Sequence, residues 1–316
     1  MSDFTSAPTV IVIGSAHVDL IAHAARLPVR GETLPGFRFG IHPGGKGGNQ
    51  AVAVARAGAR SIFFGRLGRD AFGDQLVAAL SDAGVDLTCL EFDEHVGTGC
   101  STVLTGEGGD YASIIVPGSS LTLTPDHIRE ANDIFLSARA IVGQLEIDPY
   151  VTAVAMAAGR AAEATTILNA APAPASVDDL PPNLLEMVDV LIVNRVEAGM
   201  LLGYPPGSPF DPSDAVVELQ RKFRLQAVII TLGEMGVRAR VDDQSIMFDA
   251  FPVTPVDTIG AGDAFTGTLA AALADHVPWP DALRRANAAG AIAVTRVGGY
   301  SASPKAIEIN AFLEAL

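Results

Sequence analysis

The sequence predicts an α/β fold wound around a parallel sheet. Three observations carry that prediction. Short runs of Val, Ile and Leu recur along the 316 residues, longer helical patterns separate them, and a glycine or polar residue follows each run. The runs fall at 10–13, 140–142, 166–168, 188–193 and 227–232. They are almost unbroken rather than alternating, as expected of strands with both faces buried under helices. Helical patterns lie at about 49–57, 71–83, 124–133, 150–164 and 213–223, and two more follow the last run at about 263–274 and 280–295. Strand–helix alternation of this kind builds a parallel sheet covered on both sides. Behind the runs come Gly14 and Ser15, then Gln144 and Glu146, Asn169, Asn194, and finally Thr231 and Gly233. Ligands of open α/β sheets sit outside the carboxyl ends of the strands, so these residues fit one shared crevice.

Two segments break the alternation. In 17–42, Phe37, Phe39 and Ile41 alternate with Arg38 and Gly40; in 98–116, the stretches 101–104 and 112–116 flank a turn at 106–110. Both read as short antiparallel strands with an exposed face, pairing into a small sheet beside the main one. Such a sheet would serve as a lid, a dimer contact or both. The Pro/Ala-rich stretch 170–182 reads as a loop, and no linker, repeat or low-complexity tract divides the chain. A single domain over 1–316 is expected, and with 49% apolar residues it has material for a large core.

The formal charge of −15 argues against nucleic acid or an anionic membrane as partner, because both need clustered Lys and Arg. Cys89 and Cys100 have no metal-ligand spacing and read as reduced packing residues. No stretch approaches the roughly 20 apolar residues of a membrane span. Asp3, the lack of a basic segment near the start and the shortness of the run 10–13 argue against a secretory signal. A soluble, cytoplasmic protein is expected.

Chemistry concentrates in two glycine turns. The first, Pro43-Gly44-Gly45-Lys46-Gly47-Gly48-Asn49-Gln50, runs into an alanine-rich helix; the second, Asp257-Thr258-Ile259-Gly260-Ala261-Gly262-Asp263, opens another. In the second, glycine lets bare backbone approach a ligand, and the amides of 260–263 would point from a helix start toward an anion. Negative charge developing on a transferring phosphoryl group would be stabilised there. Asp263 is the natural general base for an attacking hydroxyl, because an unperturbed Asp titrates near pH ~4 and is ionised at neutrality. Taken alone, a Gly-x-Gly-Asp would read sooner as a helix N-cap. The first turn is not a Walker A loop, since no Ser or Thr follows Lys46. It is not a dinucleotide fingerprint either, since it follows an edge strand. Lys46 and Asn49 offer donors for hydroxyls and phosphate oxygens, which suits a small polyhydroxylated substrate. The two turns together point to phosphoryl transfer to a hydroxyl.

On these two motifs, in this order and spacing, the chain resembles the ribokinase-like members of the phosphofructokinase-B-type carbohydrate kinase family. The resemblance runs from Gly14 and Ser15 to the segment 294–299, and Lys46 within Gly-Gly-Lys-Gly-x-Asn-Gln is closer to the ribokinase branch than to fructokinases or adenosine kinases. It implies a three-layer α/β/α wound sheet with a small β-sheet lid, often a dimer clasp, and so a homodimer. It also implies an ATP- and magnesium-dependent kinase acting on the terminal hydroxyl of D-ribose. Asp263 would take the hydroxyl proton, and Gly260, Ala261 and Gly262 would form an anion hole. Asp19, Gly45, Lys46, Asn49 and Glu146 would grip sugar hydroxyls. Asn194 and Glu197 match an Asn-x-x-Glu element whose Glu positions magnesium and phosphate, largely through water. Thr231, Gly233 and Gly236 would line the nucleotide, and Asn287 would lie near the adenine. Asp257, with the carbonyls of Ile259, Ala293, Arg296 and Gly298, would hold an activating potassium ion.

Two departures from the family pattern stand out. Its Gly-Ser-x-Asn-x-Asp reads Gly14-Ser15-Ala16-His17-Val18-Asp19 here. An amide offers two donors and an acceptor, whereas a neutral imidazole offers one of each at a different reach. His17 is therefore a substrate-binding candidate that bears on which sugar fits. Deoxyribose, another pentose, fructose or a nucleoside are the alternative acceptors. Near the cation loop, Ala302 stands where the family has Ser, with Ser301 and Ser303 on either side. A non-catalytic sugar or nucleotide sensor on the same fold is the reading from another class. His23, His42, His95, His127 and His276 show no metal-binding pattern, and Trp279, between two prolines, reads as packing at a helix entry.

Overall fold

The computed structural model describes residues 7–108, 110–205 and 207–315. The expectation drawn from Asp3, and residue 109 of the turn at 106–110, lie outside the described residues. In chain order the elements are β1 (Thr9–Ile13), β2 (His17–Ala24), β3 (Arg38–Gly44), α1 (Lys46–Arg56), β4 (Arg60–Gly68), α2 (Ala71–Asp82), β5 (Leu90–Asp93), β6 (Thr98–Gly106), β7 (Tyr111–Gly118), α3 (Pro125–Glu130) and α4 (Asn132–Phe135). Then come β8 (Ala140–Gly143), α5 (Pro149–Ala161), β9 (Thr165–Asn169), β10 (Val190–Asn194), α6 (Arg195–Leu202), α7 (Pro212–Phe223), β11 (Ala227–Thr231), β12 (Val237–Val241), β13 (Gln244–Phe248), α8 (Ala261–Ala274), α9 (Trp279–Ala293), α10 (Gly299–Ala302) and α11 (Ala306–Glu314).

Local chemistry explains where several helices begin. Asp70, Asp148 and Asp211 each accept an amide hydrogen bond at the start of α2, α5 and α7, and Pro149 and Pro212 fill positions that need no donor. The large sheet runs β13-β12-β11-β10-β9-β8-β1-β4-β5. From β11 to β5 every neighbouring pair is parallel, and β12 with β13 adds an antiparallel hairpin at one edge. Side chains alternate between its faces. Val10, Val12, Phe63, Val142 and Ile192 join one core with α1, α2, α8 and α9. Ile11, Ile13, Phe64, Ile141 and Val193 join the other with α3, α5, α6 and α7. The result is the expected α/β/α layering.

Strands β4 and β5 extend from β1 in one direction and β8 through β13 in the other, so the order switches between β1 and β8. The register pairs Ile13 with Gly143. Gly14 and Ser15 therefore leave the sheet beside Gln144 and Glu146, at the position where α/β sheets open a crevice.

The small sheet is ordered β3-β2-β6-β7. Its outer pairs are antiparallel as expected, but the central pair β2–β6 is parallel. The reason is connectivity: β2 continues from β1 and β6 from β5, so both leave the carboxyl edge of the main sheet in the same direction. Several other elements differ from expectation. The pattern at 124–133 splits at Ala131 into α3 and α4. Strands β4, β5, β12 and β13 and helices α6, α10 and α11 join those read from sequence. Helix α1 starts at Lys46, which makes the first glycine turn a helical turn in its own right. Trp279 opens α9 and packs half-buried against the core. Cys89 and Cys100 are free and half-buried. Among the described residues, no helix is long and apolar enough to cross a membrane.

Candidate functional site

Backbone contact at the switch point dictates the glycines of the first turn. A Cβ on Gly47 would lie 2.6 Å from the carbonyl carbon of Gly14, and one on Gly45, whose φ is +89°, would lie 2.7 Å from Cα of Ala16. Helix α1 therefore begins in direct contact with the chain leaving β1. Glu146 ties the three pieces together: its Oε2 accepts from Ser15 Oγ at 2.5 Å and from the Lys46 N–H at 2.9 Å.

The second turn lies alongside. Gly260 caps α8 with φ +77° and no side-chain cap, and a Cβ built on Gly262 would meet nothing within 4 Å. The first amides of a helix have no intrahelical acceptor; the Ala261 N–H makes only a long contact to the Thr258 carbonyl, at 3.4 Å, and the space beside Gly262 is open to an anion. Asp263 sits in the first turn but faces inward, 6% exposed. Its Oδ2 accepts from Asn49 Nδ2 at 2.8 Å and its Oδ1 from Gln50 Nε2 at 2.8 Å. Burial raises its pKa, and the Glu146 charge adds to this, while Lys46 and the two amides work against it. Burial pushes Lys46 toward neutrality, but the carboxylates of Asp263, Glu146 and Glu197 outweigh it and raise the ammonium pKa. Lys46 is thus a permanent cation among three acids.

Pairing in the small sheet builds a polar corner next to this cluster. The register sets His17 opposite Gly44 on one side and Asp19 opposite Ser101 on the other. His17 Nε2 lies 3.2 Å from Asp19 Oδ1, and Ser101 Oγ donates to the same oxygen. A side chain at Gly44 would run into Asp19 Oδ2. Burial alone would lower the His17 pKa; the hydrogen bond and charge of Asp19, with the charge of Glu146, reverse the balance and raise it. Ser101 is a site residue that sequence reasoning missed, because only the parallel β2–β6 register brings it to Asp19.

On the other flank, Asn194 and Glu197 form a reciprocal cap on α6. The Glu197 N–H donates to Asn194 Oδ1 at 2.9 Å and the Asn194 N–H to Glu197 Oε2 at 2.8 Å. Burial raises the Glu197 pKa against the pull of that N–H and of Lys46. Thr231 ends β11, and Gly233 and Gly236, with φ of +58° and +81°, shape the turn into β12. Asn287 on α9 donates to the Asp249 carbonyl at 2.9 Å, apart from the acid cluster. Asp257 draws the second turn toward the chain after α9: its Oδ1 accepts from the Ile259 N–H at 3.0 Å and its Oδ2 from the Gly298 N–H at 2.9 Å. Ala293 ends α9, and the Arg296 side chain pairs with Glu308 at 2.5 Å. Both Asp257 oxygens thus carry an N–H donor, and the Ala293 carbonyl accepts from the Arg296 N–H at 3.0 Å. Ala302 is fully buried, and Ser301 Oγ is engaged by the Val297 carbonyl at 2.7 Å. Arg56, also missed from sequence, fastens this segment by donating to the carbonyls of Tyr300 (2.7 Å), Ser301 (3.2 Å) and Ser303 (2.6 Å).

Comparison with known proteins agrees with this geometry. Residues 7–306 match the family described as pfkB family carbohydrate kinase. Ribokinase of Mus musculus is 32% identical over 302 residues, spanning 94% of this chain and 92% of its own. Deoxyribokinase of Salmonella typhi is 31% identical over 304 residues, spanning 96% and 98%. The structure of Arabidopsis thaliana ribokinase complexed with ribose and ATP superposes with a TM-score of 0.90 at 29% identity, over 98% of this chain and 99% of that one. The wound sheet, the two glycine turns meeting at its switch point and these full-length likenesses converge: the chain belongs to the pfkB family of carbohydrate kinases.

Proposed function

We propose that this protein is an ATP-dependent ribose kinase that transfers the γ-phosphoryl group to the terminal hydroxyl of D-ribose, with Asp263 as general base. One observation carries the reading: a buried carboxylate, hydrogen-bonded on both oxygens, stands in the first turn of a helix whose glycine start is open to an anion and whose neighbour is Lys46. Full-length likeness to ribokinases, one of them complexed with ribose and ATP, supports the acceptor and the donor.

Bound ATP with magnesium supplies the phosphoryl group. Asp263 takes the proton of the sugar hydroxyl as that oxygen forms its bond to phosphorus and the bond to the departing ADP oxygen breaks. The amides of Gly260, Ala261 and Gly262 donate to the oxygens of the transferring group, and Lys46 adds a positive charge nearby. His17, Asp19, Gly45, Lys46, Asn49 and Glu146 hold the sugar. Asn194 and Glu197 would hold magnesium, Thr231, Gly233 and Gly236 would line the nucleotide, and Asn287 would border the adenine. Asp257 and the carbonyls of Ile259, Ala293, Arg296 and Gly298 would hold potassium, whose charge would brace the turn that precedes α8. In this reading the whole chain is one kinase domain acting in the cytoplasm, where ATP and potassium abound, with 17–42 and 98–116 as its lid. A lid that closes over sugar excludes water, which would otherwise hydrolyse ATP. Strand β7 supports a lid-to-lid homodimer: Tyr111, Ile114, Ile115 and Val116 are exposed on both faces of an edge strand, an arrangement that a second copy would cover.

Deoxyribose is the second reading, favoured by the likeness to a deoxyribokinase and by the imidazole at position 17. The test is ADP release from ATP–magnesium across ribose, deoxyribose, other pentoses, fructose and nucleosides, in potassium and in sodium. Turnover with ribose, enhanced by potassium, is the expected result. A preference for deoxyribose moves the name and keeps the mechanism. Silence across the panel in a folded protein that binds ATP favours the sensor reading.

A further inference from the structure

Behind Asp263 lies a set of buried amides that the proposed reaction does not use directly. Gln50 and Gln144 are fully buried and Asn169 is 8% exposed. Gln50 Nε2 donates both to Asp263 Oδ1 at 2.8 Å and to Asn169 Oδ1 at 3.0 Å. Gln50 Oε1 accepts from Gln144 Nε2 at 2.6 Å. Asn169 Nδ2 donates to the Ile192 carbonyl at 3.1 Å, which also accepts the Ala170 N–H at 3.1 Å. The Gln144 carbonyl accepts from Thr152 Oγ1 at 3.0 Å.

The polarity of this chain of amides follows from one atom. A backbone carbonyl can only accept, so Ile192 requires the NH₂ of Asn169. That turns the Asn169 oxygen toward Gln50, which must answer with its own NH₂. The Gln50 oxygen then faces Gln144, and its second N–H faces Asp263. Rotating Gln50 by half a turn about its amide axis would set its oxygen against two acceptors, a carboxylate and an amide carbonyl, among buried side chains. Unsatisfied buried polar groups are costly, so the flipped state is disfavoured twice over.

We propose that Gln50 is a positioning residue for the Asp263 carboxylate, that Asn169, at the end of β9, fixes the orientation in which it donates, and that Gln144, just after β8, donates to its oxygen in that orientation. The main sheet thereby aims the base. This rests on the reading of Asp263 as the base, and the test separates the two. Other charged groups near Asp263 are Lys46 on α1, Glu146 after β8 and Glu197 on α6, with the buried phenol of Tyr300 on α10. None of them is altered by the variants.

The experiment follows the Asp263 carboxyl by carbon-13 NMR titration, assigned with Asp263→Asn, in the wild-type chain, Gln50→Met and Gln144→Met, alongside kcat against pH and melting temperature. Loss of a donor to an ionised group is expected to move the Asp263 titration upward by about one unit in Gln50→Met. The acid limb of kcat should move with it, kcat should fall roughly tenfold to a hundredfold, and the KM for ATP should stay within about twofold. Gln144→Met, which touches neither Asp263 nor substrate, should shift both profiles in the same direction by less. If Gln50→Met does not fold, Gln144→Met decides on the same readouts. A lowered melting temperature with the Asp263 titration and the acid limb in their wild-type places would overturn the proposal and leave the amides as core filler. A shifted titration with an unshifted acid limb would support the positioning and defeat the reading of Asp263 as base.

Discussion

At Asp263 the same burial that shields a base from water also works to neutralise it, and the residues around it set the balance. Lys46, Asn49 and Gln50 all favour the ionised form against desolvation. Asp263→Asn keeps the shape and removes the proton acceptor. It should lower kcat by about 10²–10⁴-fold while isothermal titration still detects sugar binding; unchanged turnover would exclude Asp263 as base. His17 is a second residue whose protonation state matters. Its pKa in the folded chain lies above the value near ~6.5 of an unfolded histidine. The bond to Asp19 therefore contributes stability that is complete below that pH and is lost as pH rises through the raised pKa. Denaturant titrations of wild type and His17→Asn over a pH series should show the wild-type advantage at acid pH shrinking with alkalinity. A difference that stays flat with pH would remove the ion pair from the stability of this corner. His17→Asn should also reorder the sugars ranked by kcat/KM, and an unaltered ranking would take His17 out of acceptor choice.

Helix α1 shows what a glycine-rich element gains from close approach. A Cβ on Gly48 would lie 1.8 Å from the Tyr300 hydroxyl, a buried group with no hydrogen-bond partner among the described residues. Gly48→Ala should cost about 1–3 kcal/mol through overpacking. Tyr300→Phe removes an unsatisfied hydroxyl and should leave the melting temperature unchanged or higher; the double variant should recover part of the Gly48→Ala loss. No recovery would mean that the alanine clashes elsewhere. Elements also differ in how plainly the sequence announces them. Strands β1, β8, β9, β10 and β11 are apolar on both faces and stand out as unbroken runs. Strand β12 reads Val-Arg-Ala-Arg-Val, alternating because it borders a sheet edge, and so does not register as such a run. Strand β4 carries Gly65 and Arg66 inside an apolar stretch, and α6 is too short to show a period. The turn residues of the site were legible because glycine and a carboxylate at a helix start have a local cause. The amide chain from Gln50 to Gln144 and Asn169 has none, since its members are separated by 94 and 119 residues and meet only once the sheet is wound.

Over the whole molecule, the reversal of strand order between β1 and β8 brings Ser15, Lys46 and Glu146 together at one edge of the sheet. The same edge throws out the small sheet, and its outer strand β7 leaves Ile114 71% exposed. Ile114→Asp should convert a lid-to-lid dimer to monomers in sedimentation equilibrium, with little effect on melting of the core; a wild-type chain that already sediments as a monomer would rule out the dimer. The small sheet also has an unusual attachment. Only residues 14–16 separate β1 from β2, and β3 runs through Gly44 almost directly into α1. His17, Asp19 and Ser101 therefore lie in the small sheet, with Lys46 and Asn49 just beyond it in α1, whereas Glu146, Thr231, Gly236, Asp257 and Asn287 come later in the chain. On the proposed roles, recombination between relatives at the β7–α3 junction would exchange every sugar-facing residue except Glu146 and leave the nucleotide-facing ones behind, so that a new sugar preference would spread through such a lineage largely as a transplantable block rather than one substitution at a time.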